Sequence, residues 1–136
     1  MEVNNTLGPI DIAISGLQAQ GKNLEVISSN IANLRTTDAG NGQPYRRLEA
    51  ILKTKGDEDE ITGVTVDEII TDMSDFNRIL DPGNPDADEN GYVTMPNVNL
   101  PTEMINLNIA TKVYQANAAI LKRYQQMVEV SLELLR

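Results

Sequence analysis

The chain has no cysteine, no histidine and no tryptophan, and a single phenylalanine among its 136 residues. Without thiol or imidazole there is no cysteine nucleophile, no Ser-His-Asp or Cys-His arrangement and no ordinary zinc site. The missing cysteines leave the compartment open, since a cysteine-free chain suits cytosol and periplasm alike. So few aromatics argue against a large aromatic-centred core and favour long aliphatic helices. Basic residues number 11 against 20 acids, for a net charge of −9, which disfavours nucleic acid as a partner. No apolar run approaches the ~20 residues of a membrane span. The first residues lack a basic segment followed by an apolar one, so the residues alone give no secretory leader and a cytoplasmic default.

What is present is heptad patterning. Hydrophobic residues make up 40 % of the chain, enough for one domain with a modest core. Ile10, Leu17, Leu24 and Ile31 fall on one seven-residue column, and Ala13, Ile27 and Leu34, with Gln20 between them, on another. That is the spacing of a coiled-coil seam. From Ile10 to Leu34 the only charged residues are Asp11, Lys22 and Glu25, far fewer than a water-facing helix carries. Both faces of this helix are therefore expected to be buried, one by the chain's own second helix and one by neighbouring molecules. Gly16 and Gly21, each costing a helix about 1 kcal/mol relative to Ala, are expected with Ser28 to line an edge of close approach.

The pattern predicts a first helix from Gly8 and Pro9 to about Leu34, proline suiting a first turn. A loop dense in turn formers follows over residues 36–44. Tyr45 to Lys53 leans to strand, and the β-branched run from Ile61 to Thr71 reads as strand. Ile79 with Leu80 and Tyr92 with Val93 flank a turn-rich segment, and this middle region reads as a small β module. A second helix runs from Pro101 to Leu135, with Leu107, Tyr114, Leu121, Val128 and Leu135 on one column and Val113, Ile120, Met127 and Leu134 on the next. Two adjacent apolar columns exceed what one partner helix covers. Of the acids, 14 lie between Asp38 and Glu89, so the middle is expected to face water while the near-neutral ends pack inward. The fold class is α+β: terminal helices (1–36 and 98–136) paired as a coiled coil, with a small, acidic, mainly β middle domain (37–97).

Few residues could carry chemistry. Asp86, Asp88 and Asn90 with Gly91 resemble the first half of a calcium loop, but the position for a bidentate Glu is Asn97, behind Pro96. A run of Asx turns explains them better. Glu58 with Glu60, and Asp86 with Asp88, are carboxylate pairs without an apolar setting to raise a pKa, so catalysis is not expected. Lys122 and Arg123 read as a solvated edge. Asn30, Asn33 and Asn117 stand out, because a buried Asn in a helix seam fixes register and partner number at a cost in stability.

Ser28, Ser29, Asn30, Ile31, Ala32 and Asn33, with Thr36 and Thr37 just after, resemble the N-terminal signature of the bacterial flagellar basal-body rod protein family. Pro44 to Arg47, Asp81 to Gly83, Pro85 to Val93, Met95 to Asn99, Glu103 with Met104, and Tyr114 to Asn117 resemble its proximal rod member, in the same order along the chain. The resemblance implies a non-enzymatic, cofactor-free subunit of the shaft that carries motor torque across the periplasm for motility. It implies an inner coiled-coil layer built from both terminal helices, with the middle outside. Implied partners are further copies, other rod proteins, the adaptor joining rod to MS ring, and the flagellar type III export apparatus, which would export the chain without a cleaved signal peptide; no nucleic acid or small-molecule substrate is implied. The expected packing residues are Leu17, Leu24, Ile27, Asn30, Ile31, Asn33, Leu34, Leu107, Tyr114, Asn117, Leu121, Val128 and Leu135. The competing class is a soluble coiled-coil adaptor or chaperone acting as a dimer.

Overall fold

A computed structural model describes residues 8–57 and 60–136. Helix α1 spans Gly8–Ala32 and helix α2 spans Leu100–Leu134, with strands β1 (Leu48–Gly56), β2 (Ile61–Thr71), β3 (Asn77–Leu80) and β4 (Tyr92–Met95) between them. The chain is thus α+β, as expected. The strands make two separate antiparallel ribbons, β1 with β2 and β3 with β4, rather than one sheet. Glu58 and the residues before Gly8 lie outside the described residues.

Local chemistry sets the ends. The first helix stops two residues short of Leu34 because the Asn33 carboxamide donates to Ser29 O at 2.9 Å and accepts from Thr36 Oγ1 at 3.1 Å, closing the last turn. At the other helix, Asn99 Oδ1 accepts from the Thr102 amide at 3.0 Å, an N-cap followed by Pro101 in the first turn. Among the described residues no helix is long and apolar enough to cross a membrane.

The β1–β2 ribbon is pinned to α1 at Gly63. There φ is +151° and a Cβ would overlap Ser15 Oγ, so only glycine lets the strand come this close. The adjoining Val64 amide donates to Ser15 Oγ at 3.0 Å, and that hydroxyl donates to Ile12 O at 2.7 Å. Two register shifts, at Ile51/Leu52 and Lys55/Gly56, let the ribbon bend over the helix.

The helices lie antiparallel, since Gly16 meets Asn117 while Asn30 meets Glu103. A Cβ on Gly16 would stand 2.6 Å from Asn117 Nδ2, whereas one on Gly21 would meet nothing within 4 Å. Close approach therefore explains the first glycine and not the second. The buried side of α1 is Ala13, Gly16, Ala19, Val26, Ile27 and Asn30. Ala13 and Ile27 come from one of the two expected columns, whereas in the other Ile10, Leu17, Leu24 and Ile31 are only half-buried. The helix is wedged between α2 and the ribbon, and its smallest residues, not its largest, sit where both press closest. On α2 the buried positions are Glu103 and Ala110, also beside rather than on the expected apolar columns.

Candidate functional site

The most enclosed side chains on the helix pair are polar. Asn30 and Glu103 are both 0 % exposed. Asn30 sits on the last full turn of α1, where its amide faces the start of β1. It accepts from the Leu48 amide at 2.8 Å and donates to Leu48 O at 2.8 Å, as a neighbouring strand would. Its second proton goes to Glu103 Oε2 at 3.1 Å, and its oxygen also accepts from Tyr45 Oη at 3.0 Å. With its one proton spent there, Tyr45 takes the Ser29 hydroxyl as donor, at 3.2 Å. Leu48 fixes the orientation of the amide, because its N–H needs an oxygen and its C=O needs a proton.

Glu103 is placed by the first turn of α2, which an acid favours through the helix dipole. Its Oε1 accepts from Arg47 Nε at 2.6 Å. Arg47 also lies 3.4 Å from Glu49 and 3.6 Å from Asp72. Burial alone would lower the Arg47 pKa, but the Glu103 hydrogen bond and the charges of Glu103, Glu49 and Asp72 outweigh it and hold the guanidinium above its ordinary value. The Arg47 amide donates to Asn97 Oδ1 at 2.8 Å, and Asn97 Nδ2 donates to Asp72 O at 2.9 Å and Ser74 Oγ at 3.0 Å. Arg46 continues the tie, donating to Ser74 O at 2.9 Å with its guanidinium 4.1 Å from the Phe76 ring centre. Among the described residues no buried side-chain nitrogen or oxygen lacks a partner.

Of the residues singled out from sequence, Asn30 and Ile27 are buried in this region. Leu17, Leu24, Ile31, Asn33 and Leu34 are half-buried, as are Leu107, Asn117 and Leu121. Asn33 acts locally, closing its own helix end. Tyr114, Val128 and Leu135 are exposed, and Leu135 is 85 % open. The second expected column of α2 is also open, with Val113 at 40 %, Ile120 at 49 % and Met127 at 59 %. Beside it a groove of about 310 Å³ is floored by Val26 and Ile27 and walled by Leu52, Ile109 and Val113.

The acidic loop is spent on itself. Asp86 Oδ2 accepts from Thr37 Oγ1 at 2.6 Å, and Asp88 Oδ1 accepts from the Asn90 and Tyr92 amides at 2.9 Å while Oδ2 pairs with Arg78. The Tyr92 and Asn90 amides, with Arg78, hold the Asp88 carboxyl below its usual range. These are Asx turns around the β3–β4 connection, not converging ligands. Lys122 and Arg123 are exposed.

Sequence reasoning picked Asn30 but not its partners Tyr45 and Glu103, nor Arg47 and Asn97 behind them. Their signal was the set of short motifs itself: segments 28–33, 44–47, 95–99 and 103–104, far apart in the chain, meet at this one place.

Comparison with known proteins agrees. Residues 10–39 match the family model "Flagella basal body rod protein", and residues 89–134 match "Flagellar basal body rod FlgEFG protein C-terminal". The chain is 40 % identical to the flagellar basal-body rod protein FlgC of Salmonella typhimurium over 94 % of its length and 96 % of that protein's. It is 41 % identical to FlgC of Agrobacterium fabrum (92 % and 91 % covered) and 36 % identical to FlgC of Bacillus subtilis (92 % and 95 %). With identity at this level across nearly the full length of all three relatives, the chain belongs to the flagellar basal-body rod protein family.

Proposed function

We propose that the chain is a structural, non-enzymatic subunit of the proximal flagellar rod, one of many copies that pack with other rod proteins to transmit motor torque across the periplasm. The observation that carries this reading is the apolar side of α2. Ile105, Ile109, Val113, Ile120 and Met127 share this side by helical periodicity and are each at least 40 % exposed, on a helix whose own partner covers only the Glu103 and Ala110 side. Exposed apolar surface of this extent marks an interaction site. Full burial of such a side chain brings roughly 1.5–3 kcal/mol, and covering its exposed half in an assembly about half of that.

The two helices contribute an antiparallel coiled-coil pair to that assembly. In its support, Gly16 to Asn30 and Glu103 to Asn117 are equal steps of two seven-residue repeats. What neighbours add is cover for the outer side of α2, while the pair closes on its own polar contacts. The two ribbons and their acidic loops form the outer domain. Export by the flagellar type III apparatus, without a cleaved leader, and contact with the adaptor at the MS ring belong to the same reading. The adaptor or chaperone alternative gains nothing from relatives that are rod proteins.

The test is genetic and visual. A strain lacking the gene is expected to build no rod and to be non-motile, and the native chain is expected to restore both, with its density in isolated basal bodies. Complete rods and normal swimming in the deletion strain reject the proposal.

A further inference from the structure

We propose that Asn30, Arg47 and Glu103 form a latch that sets the position of the β1–β2 ribbon by the register of the helix pair. Each residue comes from a different element: α1, the segment leading into β1, and α2. The carboxylate of Glu103 is closed from solvent and has two partners, Arg47 Nε at 2.6 Å and Asn30 Nδ2 at 3.1 Å. Removing either element strands a charge or an amide away from water, so the contacts form together or not at all. A slip of α1 against α2 by one residue would turn Asn30 away from Glu103 and from Leu48 at once.

The rest of the ribbon's hold on the helices is thin. Beyond Gly63 and Ser15, only Leu48, Ala50, Val64 and Val66 of its strands are half-buried, and the other strand residues are exposed, Ile51 at 37 % and Ile61 at 63 %. An isolated two-stranded ribbon is marginal in water. The latch therefore contributes direction rather than much net stability, as buried ion pairs cost nearly as much in desolvation as they return. Arg47 is also held through its backbone by Asn97, so the β3–β4 ribbon and the 72–74 segment follow the same fix.

The chain has no cysteine, so labels can be placed uniquely. Spin labels at Lys55→Cys and Lys112→Cys, both exposed positions outside the latch, report the ribbon-to-helix distance in the purified full chain. A narrow distance distribution is expected in the otherwise native chain. With Arg47→Met and Glu103→Leu together, which removes both ends of the ion pair and leaves Asn30 on Leu48, the distribution is expected to broaden several-fold while the urea midpoint falls less than with Glu103→Leu alone. Glu103→Leu alone, which strands Arg47, is expected to lower the midpoint. Glu103→Gln keeps the shape and is expected to broaden the distribution partially, and it decides the matter should the double variant lose its helical circular dichroism. A distribution left narrow by Glu103→Gln and by any folded double variant overturns the proposal. So does a double variant destabilised as much as Glu103→Leu, or a broad distribution in the native chain. None of these results bears on whether the chain enters a rod, which the genetic test reads separately.

Discussion

The Asn30 carboxamide is bonded to both the N–H and the C=O of Leu48, each at 2.8 Å, and so occupies the outer edge of β1 as one residue of a missing strand. A helix side chain thereby finishes a sheet.

Two substitutions at Asn30 separate shape from polarity. Asn30→Ala leaves the Leu48 N–H and C=O unpaired and takes one partner each from Glu103 and Tyr45, for an expected loss of about 3 kcal/mol. Asn30→Asp places an oxygen against Leu48 O and the Glu103 carboxylate and is expected to cost more at neutral pH. Urea denaturation of both variants checks the order, and an Asp variant as stable as native sinks the account.

The helical glycines are expected to respond in opposite directions. Gly21→Ala gains about 1 kcal/mol of helix propensity into open space. Gly16→Ala drives a methyl group into the Asn117 carboxamide, and the resulting strain, about 1–3 kcal/mol, outweighs the same gain. Adding Asn117→Ala restores stability. Thermal melts of the four proteins suffice, and a stabilising Gly16→Ala would show that the Asn117 side chain gives way to the methyl group at little cost.

Acid sensitivity follows from Asp72. The Ser74 amide and hydroxyl, with Arg47 beyond them, hold its carboxyl below the usual range. A carboxyl depressed in the folded state contributes stability that is present above its unfolded pKa of about 3.9 and disappears as pH falls through the folded value. The native chain is therefore expected to lose stability below about pH 4, and Asp72→Asn to lose less over the same span. Denaturation midpoints at a series of pH values test this, with parallel curves as the contrary result.

Ile120 and Ile27 distinguish assembly from folding. Ile120 is 49 % exposed and Ile27 is 4 % exposed. Ile120→Asp is expected to leave the circular dichroism of the purified chain unchanged while abolishing rod incorporation and swimming. Ile27→Asp is expected to unfold the chain, since an unpaired charge would enter its core. Normal motility with Ile120→Asp would show that this side of α2 stays in water.

Much of this was legible in the residues. The β-branched run at Ile61 to Thr71 is β2 with the same bounds, and Pro9, Pro101 and the turn-rich 36–44 segment mark element ends. The buried side of α1 was legible in part, at Ala13, Gly16, Ile27 and Asn30, but not at Ala19 and Val26. Seven-residue periodicity weighs residues by hydrophobicity, yet the tightest contacts go to Gly16 against Asn117 and Ser15 against Gly63, where smallness decides. Nor was Glu103 legible as a core residue. An acid in a first helical turn has its ordinary explanation in the dipole, and the partner that makes burial tolerable, Arg47, lies 56 residues away. The Asn99 cap ahead of Pro101 could have been read directly.

α2 has 35 residues to the 25 of α1. With Asn30 opposite Glu103, Gly8 falls opposite Gln125, and the last positions of α2, ending in Leu134 at 82 % and Leu135 at 85 % exposure, run past the first described residue of α1. The two ends of the described helix pair thus differ in chemistry, with the Asn30, Arg47 and Glu103 contacts at one and exposed leucines at the other. A pair with unlike ends has a polarity, so a neighbour approaching along its axis from one side meets a different surface from a neighbour approaching from the other.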